Sequence, residues 1–219
     1  MTGLTFTPKA VLFWGTNQTA TGIAANQTHW FGAATSSTQR WACAMFSADN
    51  VATTDVAHVG DAGQCILCLS SSTTKSVVAD FVSMDTTGFT VNFSTVTTNT
   101  IIHYLAIGGS DITNVKAGTF TLAVATGNQD FTDPAFTPDC VLFASNGYRS
   151  STWAGTILNT NSAGSSLAAG LSTSARWCTY LSATDAQTMT ANINAMNTQR
   201  TDNIIITLND SAALDSLGD

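Results

Sequence analysis

The stretch Phe6-Thr7-Pro8-Lys9-Ala10-Val11-Leu12-Phe13 returns 130 residues later as Phe136-Thr137-Pro138-Asp139-Cys140-Val141-Leu142-Phe143. A second pair of blocks follows in the same order, at an offset of 136. Ala33-Ala34-Thr35-Ser36-Ser37-Thr38-Gln39-Arg40-Trp41 is answered by Ala169-Gly170-Leu171-Ser172-Thr173-Ser174-Ala175-Arg176-Trp177. Two ordered matches indicate a tandem repeat whose copies are each a structural unit. We therefore predict two modules, residues 1–113 and residues 114–219, of which the second is an incomplete copy.

The second copy ends before any counterpart of three segments of the first, residues 88–94, 101–109 and 115–120. Two interpretations remain open. The chain is a fragment of a longer protein, or a neighbouring subunit supplies the missing strands. The first interpretation is favoured.

The composition predicts an all-β protein. Only 10% of the residues are charged, against about 25% in ordinary globular domains. All 14 acidic residues are Asp. Glu and Lys favour helices, whereas Thr and Val favour strands and Asp and Asn favour turns. With 44% apolar residues in short runs, disorder is excluded, and we expect tandem antiparallel β-sandwich or jelly-roll-like modules.

Short apolar runs bounded by polar turns mark the candidate strands. The stretches Val11-Leu12-Phe13-Trp14 and Ile101-Ile102-His103-Tyr104-Leu105 are apolar on both faces, as expected for central strands. The junction, residues 113–135, is predicted to be a strand followed by a turn. The predicted strands are residues 10–14, 29–33, 41–47, 51–58, 64–70, 77–84, 89–94 and 101–107 in copy one, and 141–144, 167–170, 177–181, 189–193 and 204–208 in copy two.

Charge and hydropathy exclude several classes of partner. The net charge is −7 and the seven basic residues are scattered singly, so no patch can neutralise phosphates and nucleic acid is not expected. No apolar stretch of about 20 residues predicts a membrane span. The first residues carry no secretory signal, which predicts synthesis in a cytoplasm. So weakly charged a surface is either hydrated by its Thr, Ser and Asn side chains or covered by neighbouring subunits, and the second interpretation, a homo-oligomer, is favoured.

No motif predicts catalysis, a metal or a cofactor. Cys65 and Cys68 have the spacing of a zinc knuckle, but no second pair completes four ligands, and residues three apart in a strand face opposite ways. The five cysteines are therefore predicted to be reduced and buried. His29, His58 and His103 stand alone, without a nucleophile motif. Asp49, Asp55 and Asp61 fall in loops or near strand ends, and Asp130 and Asp133 cluster near the junction; at both places solvated carboxylates are preferred over a calcium site.

The repeated pairs Arg40-Trp41 and Arg176-Trp177 are the candidate site residues. The preferred interpretation is structural: the Trp enters the core while the Arg binds backbone carbonyls or stacks on an aromatic ring. The alternative is a sugar-binding corner, in which the Trp stacks on a pyranose and the Arg binds its hydroxyls.

The repeated Phe-Thr-Pro-x-x-Val-Leu-Phe, the Ser/Thr turn before Arg-Trp, Gly88-Phe-Thr-Val-Asn-Phe93, His103-Tyr-Leu-Ala-Ile-Gly-Gly109 and Val115-Lys-Ala-Gly-Thr-Phe120 resemble sequences of tailed-bacteriophage virion proteins built from tandem β-sandwiches. This resemblance implies a non-enzymatic capsid-decorating, cementing or tail-associated protein, located in the virion and contacting copies of itself and other virion proteins. It supplies no catalytic residue. The alternative function is a lectin-like module that binds host glycans.

Overall fold

The computed structural model confirms the all-β prediction and describes residues 1–22, 25–48, 51–122, 127–146, 154–159, 162–184 and 195–199. No helix occurs in these residues, and all neighbouring strands pair antiparallel. The strands are β1 Pro8–Gly15, β2 Gln27–Ala34, β3 Arg40–Ser47, β4 Val56–Asp61, β5 Ile66–Leu69, β6 Lys75–Asp85, β7 Gly88–Val96, β8 Ile102–Gly108, β9 Val141–Ser145, β10 Ser162–Gly170, β11 Arg176–Thr184 and β12 Ala195–Gln199. They form a five-stranded sheet (β4-β3-β2-β1-β8), a three-stranded sheet (β5-β6-β7) and a four-stranded sheet (β12-β11-β10-β9).

In copy one, the five-stranded and three-stranded sheets pack face to face as a sandwich. Most strands contribute alternate residues to the core between the sheets, as the two-residue period of a strand requires, whereas all four residues of β5 belong to it. Trp30 is fully buried there and donates from its ring nitrogen to the Thr16 carbonyl, 3.3 Å away. The buried core comprises Val11, Phe13, Trp30, Ala34, Ala42, Ala44, Phe46, Ala57, Val59, Cys65, Ile66, Leu67, Cys68, Leu69, Val77, Ala79, Phe81 and Phe89.

The four-stranded sheet repeats the order and the register of the strands β4-β3-β2-β1. Ala34 faces Arg40 across β2 and β3, and Gly170 faces Arg176 across β10 and β11. Val11 faces Ala34 across β1 and β2, and Val141 faces Gly170 across β9 and β10. The two sequence blocks therefore correspond to one structural frame used twice.

The Ser/Thr-rich turn before each Arg-Trp pair also repeats, bond for bond. The Ser36 hydroxyl accepts the Thr38 and Gln39 amides, and the Ser172 hydroxyl accepts the Ser174 and Ala175 amides. A serine that binds the backbone two and three residues on fixes a tight turn. This local bonding explains why the turn is retained in both copies.

The copies differ in how they fill the inner face of that frame. Trp30 lies opposite Ala44 in copy one, whereas Ser166 lies opposite Tyr180 in copy two. The large aromatic side chain has thus moved to the neighbouring strand, and Gly164 accommodates it: a Cβ there would come within 2.7 Å of the Tyr180 hydroxyl. The exchange keeps a large residue beside a small one in each cross-strand pair, which preserves the packed volume.

In each copy, an aromatic residue of the first strand contacts a second aromatic ring, and the two rings cover this inner face. Phe13 meets the Phe89 ring edge to face, with centroids 5.5 Å apart. Its counterpart Phe143 meets the Phe120 ring in the same manner at 6.1 Å. Phe120, from the junction between the copies, therefore takes the place that β7 fills in copy one.

The two copies pack together through equivalent faces of their sheets. Met45 and Val56 of copy one form a buried cluster with Ala163 and Ala183, and Leu181 packs against it. Leu181 holds in the repeat the position of Met45. All five side chains lie on the face opposite the inner core, so the five-stranded sheet is covered on both sides at β3 and β4.

Asn146, the residue after β9, stabilises the contact between the two copies through hydrogen bonds. It is buried, and its amide nitrogen donates to the Ala44 carbonyl at 2.8 Å and to the Val59 carbonyl. Buried backbone carbonyls and side-chain amides satisfy each other at such positions. A single side chain of copy two thus bonds to two neighbouring strands of copy one.

Residues 154–159, which we call the strap, cover the β4 edge of the five-stranded sheet. Leu158 exchanges two backbone hydrogen bonds with His58, each of 2.9 Å, and the Gly155 amide donates to the Gly60 carbonyl at 2.9 Å. The repeat offset grows from 130 to 136 between β9 and β10, and the strap lies in that interval. The six-residue insertion in copy two therefore gives copy one an additional edge segment.

Some expectations from the sequence differ from the structure. β4 begins at Val56 rather than near residue 51. The described junction residues form no strand, so the strand predicted there is wrong: Lys9 binds the Ile112 carbonyl and the Ala117 amide binds the Thr35 hydroxyl in an irregular segment. The strands predicted at residues 189–193 and 204–208 lie outside the described residues. The boundary predicted after residue 113 falls between β8 and β9.

Candidate functional site

The structure does not bring the side chains of Arg40 and Trp41 together. Arg40 lies on the inner side of β3, where its Nε donates to the Gly63 carbonyl at 2.6 Å and its guanidinium pairs with Asp80 of β6 at 3.3 Å. Trp41 is the next residue of the same strand and so faces the opposite side of the sheet. Arg40 thus joins the two sheets through a carbonyl and a carboxylate, as the structural interpretation expected.

The tryptophans do not enter the buried core, which differs from that interpretation. Trp41 is half-buried and Trp177 is 39% exposed. Arg176 stands at the register position of Arg40, opposite Gly170, and is half-buried. Each tryptophan lies opposite an alanine of the neighbouring strand, Ala33 or Ala169.

A larger apolar surface lies on the outer side of the five-stranded sheet, across β2, β1 and β8. We call it the aromatic face, formed by Leu12, Trp14, Phe31, His103 and Leu105. Trp14 pairs in register with Phe31 on one side and with His103 on the other, and Leu12 pairs with Leu105. The Trp14 and His103 rings stack with centroids 6.1 Å apart. Trp14 is 38% exposed and Leu105 is 49% exposed, so the face meets solvent where copy two does not cover it.

The aromatic face contains no Asp, Lys or Arg side chain, although the chain has a net charge of −7. His29 lies on the same side of β2, where burial lowers its pKa and favours the neutral form. An apolar, nearly uncharged surface of this kind is typical of a contact with another macromolecule.

Sequence reasoning missed this surface, because Trp14 is replaced by Ala144 in copy two and so was not part of the repeated pattern. The stretch that contains Trp14 is also apolar on both faces, so it was predicted to be a buried central strand. The signal that could have found it is the run His103-Tyr104-Leu105, whose apolar side chains point to both faces of a strand.

Four of the five cysteines are buried, but Cys140 is exposed, contrary to the expectation for all five. Burial raises the pKa of Cys43 and of Cys65 to about 12, and that of Cys68 to about 11. Thiols with such pKa values are inert as nucleophiles at neutral pH. Among the described residues, no cluster of three His, Cys or Asp side chains could hold a metal ion.

The buried thiols predict a loss of stability at alkaline pH. Unfolded thiols ionise near pH 9, the ordinary pKa, whereas the folded thiols stay protonated to about pH 11 or above. As the pH rises, the unfolded state therefore loses its thiol protons before the folded state does. The stability that the buried, protonated thiols contribute is complete below pH 9 and falls as the pH rises toward 12. Each thiol contributes up to about 1.4 kcal/mol per pH unit.

Urea unfolding between pH 8 and pH 11 measures this effect. We expect a shallower loss of unfolding free energy in Cys43→Ala than in the wild type, and an unchanged slope in the exposed control Cys140→Ala. Equal slopes in all three proteins would contradict the assignment.

Comparison of the chain with protein-family models, with curated proteins and with solved structures gives no match. In the part of the chain that the structure describes, no helix is long and apolar enough to cross a membrane.

Proposed function

We propose that this chain is a non-enzymatic structural protein of a tailed-bacteriophage virion, either a decoration or cement protein of the head or a tail-associated component. In this role it contacts further copies of itself and other virion proteins. It is made in the host cytoplasm and acts on the particle surface.

The observation that carries this proposal is the packing of one repeat on the other through equivalent faces. Met45 of copy one and Leu181 of copy two occupy the same place in the repeat and meet at the same interface. A module whose outer face packs against another such module is a building unit, and repetition of that contact is how structural assemblies grow.

Surface chemistry supports the same role. The aromatic face leaves Trp14 and Leu105 exposed on a chain that has only 10% charged residues. Free monomers rarely keep apolar patches of this kind, whereas surfaces that become buried in an assembly commonly do. The resemblance of its sequence blocks to those of phage virion proteins supports a virion as the assembly.

The proposal is tested on particles of the phage that carries the gene. Particles assembled without the chain are expected to lose stability to heat or osmotic shock, and purified chain added back is expected to restore it. Unchanged particle stability, together with absence of the chain from purified wild-type particles, would contradict the proposal.

A lectin-like glycan-binding module is the second candidate, and the exposure of Trp177 favours it. An exposed indole is a suitable platform for a pyranose ring. A glycan array with the wild type, Trp41→Ala, Trp177→Ala and Trp14→Ala separates the two functions. If the protein is structural, we expect no specific sugar to bind. Binding of one glycan class that is lost in the Trp177→Ala variant would favour the lectin.

A further inference from the structure

The two sheets of copy one have four edge strands, β4, β8, β5 and β7, and of these β8 is the one without protection in the described residues. The strap covers β4. Residues 1–4 pair with the start of β7 through the Phe89 amide and the Met1 carbonyl at 3.0 Å. β5 is an edge of only four residues. Covering, shortness and irregularity are the usual protections of edge strands against pairing with another chain.

β8 has none of these protections. Its sequence, Ile102-His103-Tyr104-Leu105-Ala106-Ile107-Gly108, contains no Asp, Lys, Arg or Pro. It pairs with β1 in continuous register from Ile102 to Ile107, without a bulge. Among the described residues, no strand or bridge lies on its other edge. β8 therefore presents a straight row of backbone donors and acceptors.

The side chains of β8 also fit a central strand better than an edge. The run is apolar on both faces, which is typical of strands whose two faces are both covered. Yet Leu105 is 49% exposed on the aromatic face and Tyr104 is 36% exposed on the inner side. A strand paired with β8 would bring cross-strand neighbours to Tyr104 and Leu105 and cover part of both side chains.

We propose that β8 pairs with β8 of a second copy of this chain, joining two five-stranded sheets into one continuous sheet. This inference rests on the proposed structural role and names its partner. Identical strands related by a two-fold axis pair antiparallel, as all strands within the chain do. Added main-chain hydrogen bonds supply the affinity in such strand pairing.

Charge determines where on their surfaces two copies of this chain can meet. Each chain has a net charge of −7, so two copies repel each other wherever their carboxylates meet. β8 and the aromatic face carry no Asp, Lys or Arg side chain. This uncharged edge is where two acidic chains approach without bringing like charges into contact.

The strap prevents the joined sheet from extending beyond two copies. After β8 pairs with β8, the outer strand at each end of the joined sheet is β4, whose edge is occupied by the strap through His58 and Gly60. An isologous contact of this kind closes on itself and does not extend into a fibre.

Sedimentation velocity of the full chain at 1–100 µM tests the inference, with hydrogen exchange of the amides of β8. We expect a dimer whose β8 amides are protected. Leu105→Lys and His103→Lys replace exposed side chains, so the fold tolerates them, and each should raise the dimer dissociation constant at least tenfold by placing like charges across the two-fold axis. The control Val82→Lys, 45% exposed on the central strand β6, should remain dimeric.

Three results would overturn the inference. The first is a monomer at 100 µM with rapidly exchanging β8 amides. The second is a monomer with protected β8 amides, which would show that the chain covers the edge with its own residues. The third is a dimer unaffected by both lysine variants. None of these depends on particles, so a failure here leaves the proposed function standing, and a dimer that is absent from virions would sink only that function.

Discussion

Replacing Gly32 with alanine is expected to lower the free energy of unfolding by about 3 kcal/mol, as overpacking of a tight core does. Gly32 lies in β2 where the start of the three-stranded sheet crosses it. A Cβ at this position would stand 1.9 Å from the Cys65 carbonyl oxygen and 2.9 Å from its carbon. Both are backbone atoms, so no side-chain rotation relieves the clash, and the two sheets must separate. A glycine inside a strand marks such a close approach.

Copy two supplies the control for this prediction. The residue at the position of Gly32 is Ala168, whose side chain is buried in a cluster with Cys178 and Tyr180. The variant Ala168→Gly should cost about 1 kcal/mol or less, the usual effect of glycine in a strand. Urea denaturation measures both values. A Gly32→Ala protein as stable as the wild type would show that the sheets do not approach as described.

Replacing Trp30 with alanine is expected to cost about 3–5 kcal/mol. Its side chain is 1% exposed, lies opposite the small Ala44, and donates to the Thr16 carbonyl. The volume left by the indole ring stays empty, because the side chain opposite, Ala44, is too small to fill it. The loss combines the transfer of a large ring to water with the cavity that remains.

Trp177→Ala is the matched control, because it removes the same side chain from a position that is 39% exposed. Its cost in unfolding free energy should be near or below about 1 kcal/mol. Thermal and urea unfolding of the two variants give the comparison directly. Similar losses in both would contradict the assignment of Trp30 to the core and of Trp177 to the surface.

The repeat made the frame of this fold predictable from sequence. Period-two alternation and the recurring Phe-Thr-Pro and Arg-Trp blocks located most of the strands, because these features depend on local backbone geometry. The register of β10 on β11 follows from the same blocks. The junction was mispredicted, because Ala117 and Phe120 are held by contacts with distant residues, Thr35 and Phe143, that local pattern does not reveal.

The candidate site was less predictable from the sequence than the strands were, because strand geometry separates residues that are adjacent in the chain. Adjacent residues of a strand face opposite sides of a sheet, so Arg40 and Trp41, neighbours in sequence, have separate surroundings. The aromatic face is assembled from three strands far apart in the chain, with Trp14, Phe31 and His103 meeting only through the pairing. The central-strand pattern of β8 was visible, but its place at the edge of the sheet follows from topology alone.

The mass and composition of the native assembly test the central claim most directly. The chain is isolated from infected cells under mild conditions, and its sedimentation and its co-purifying proteins are determined. The proposed virion role predicts that the chain sediments with phage particles, in many copies per particle and together with other virion proteins. Recovery of the chain as a free monomer, with the particles containing none of it, would contradict the account.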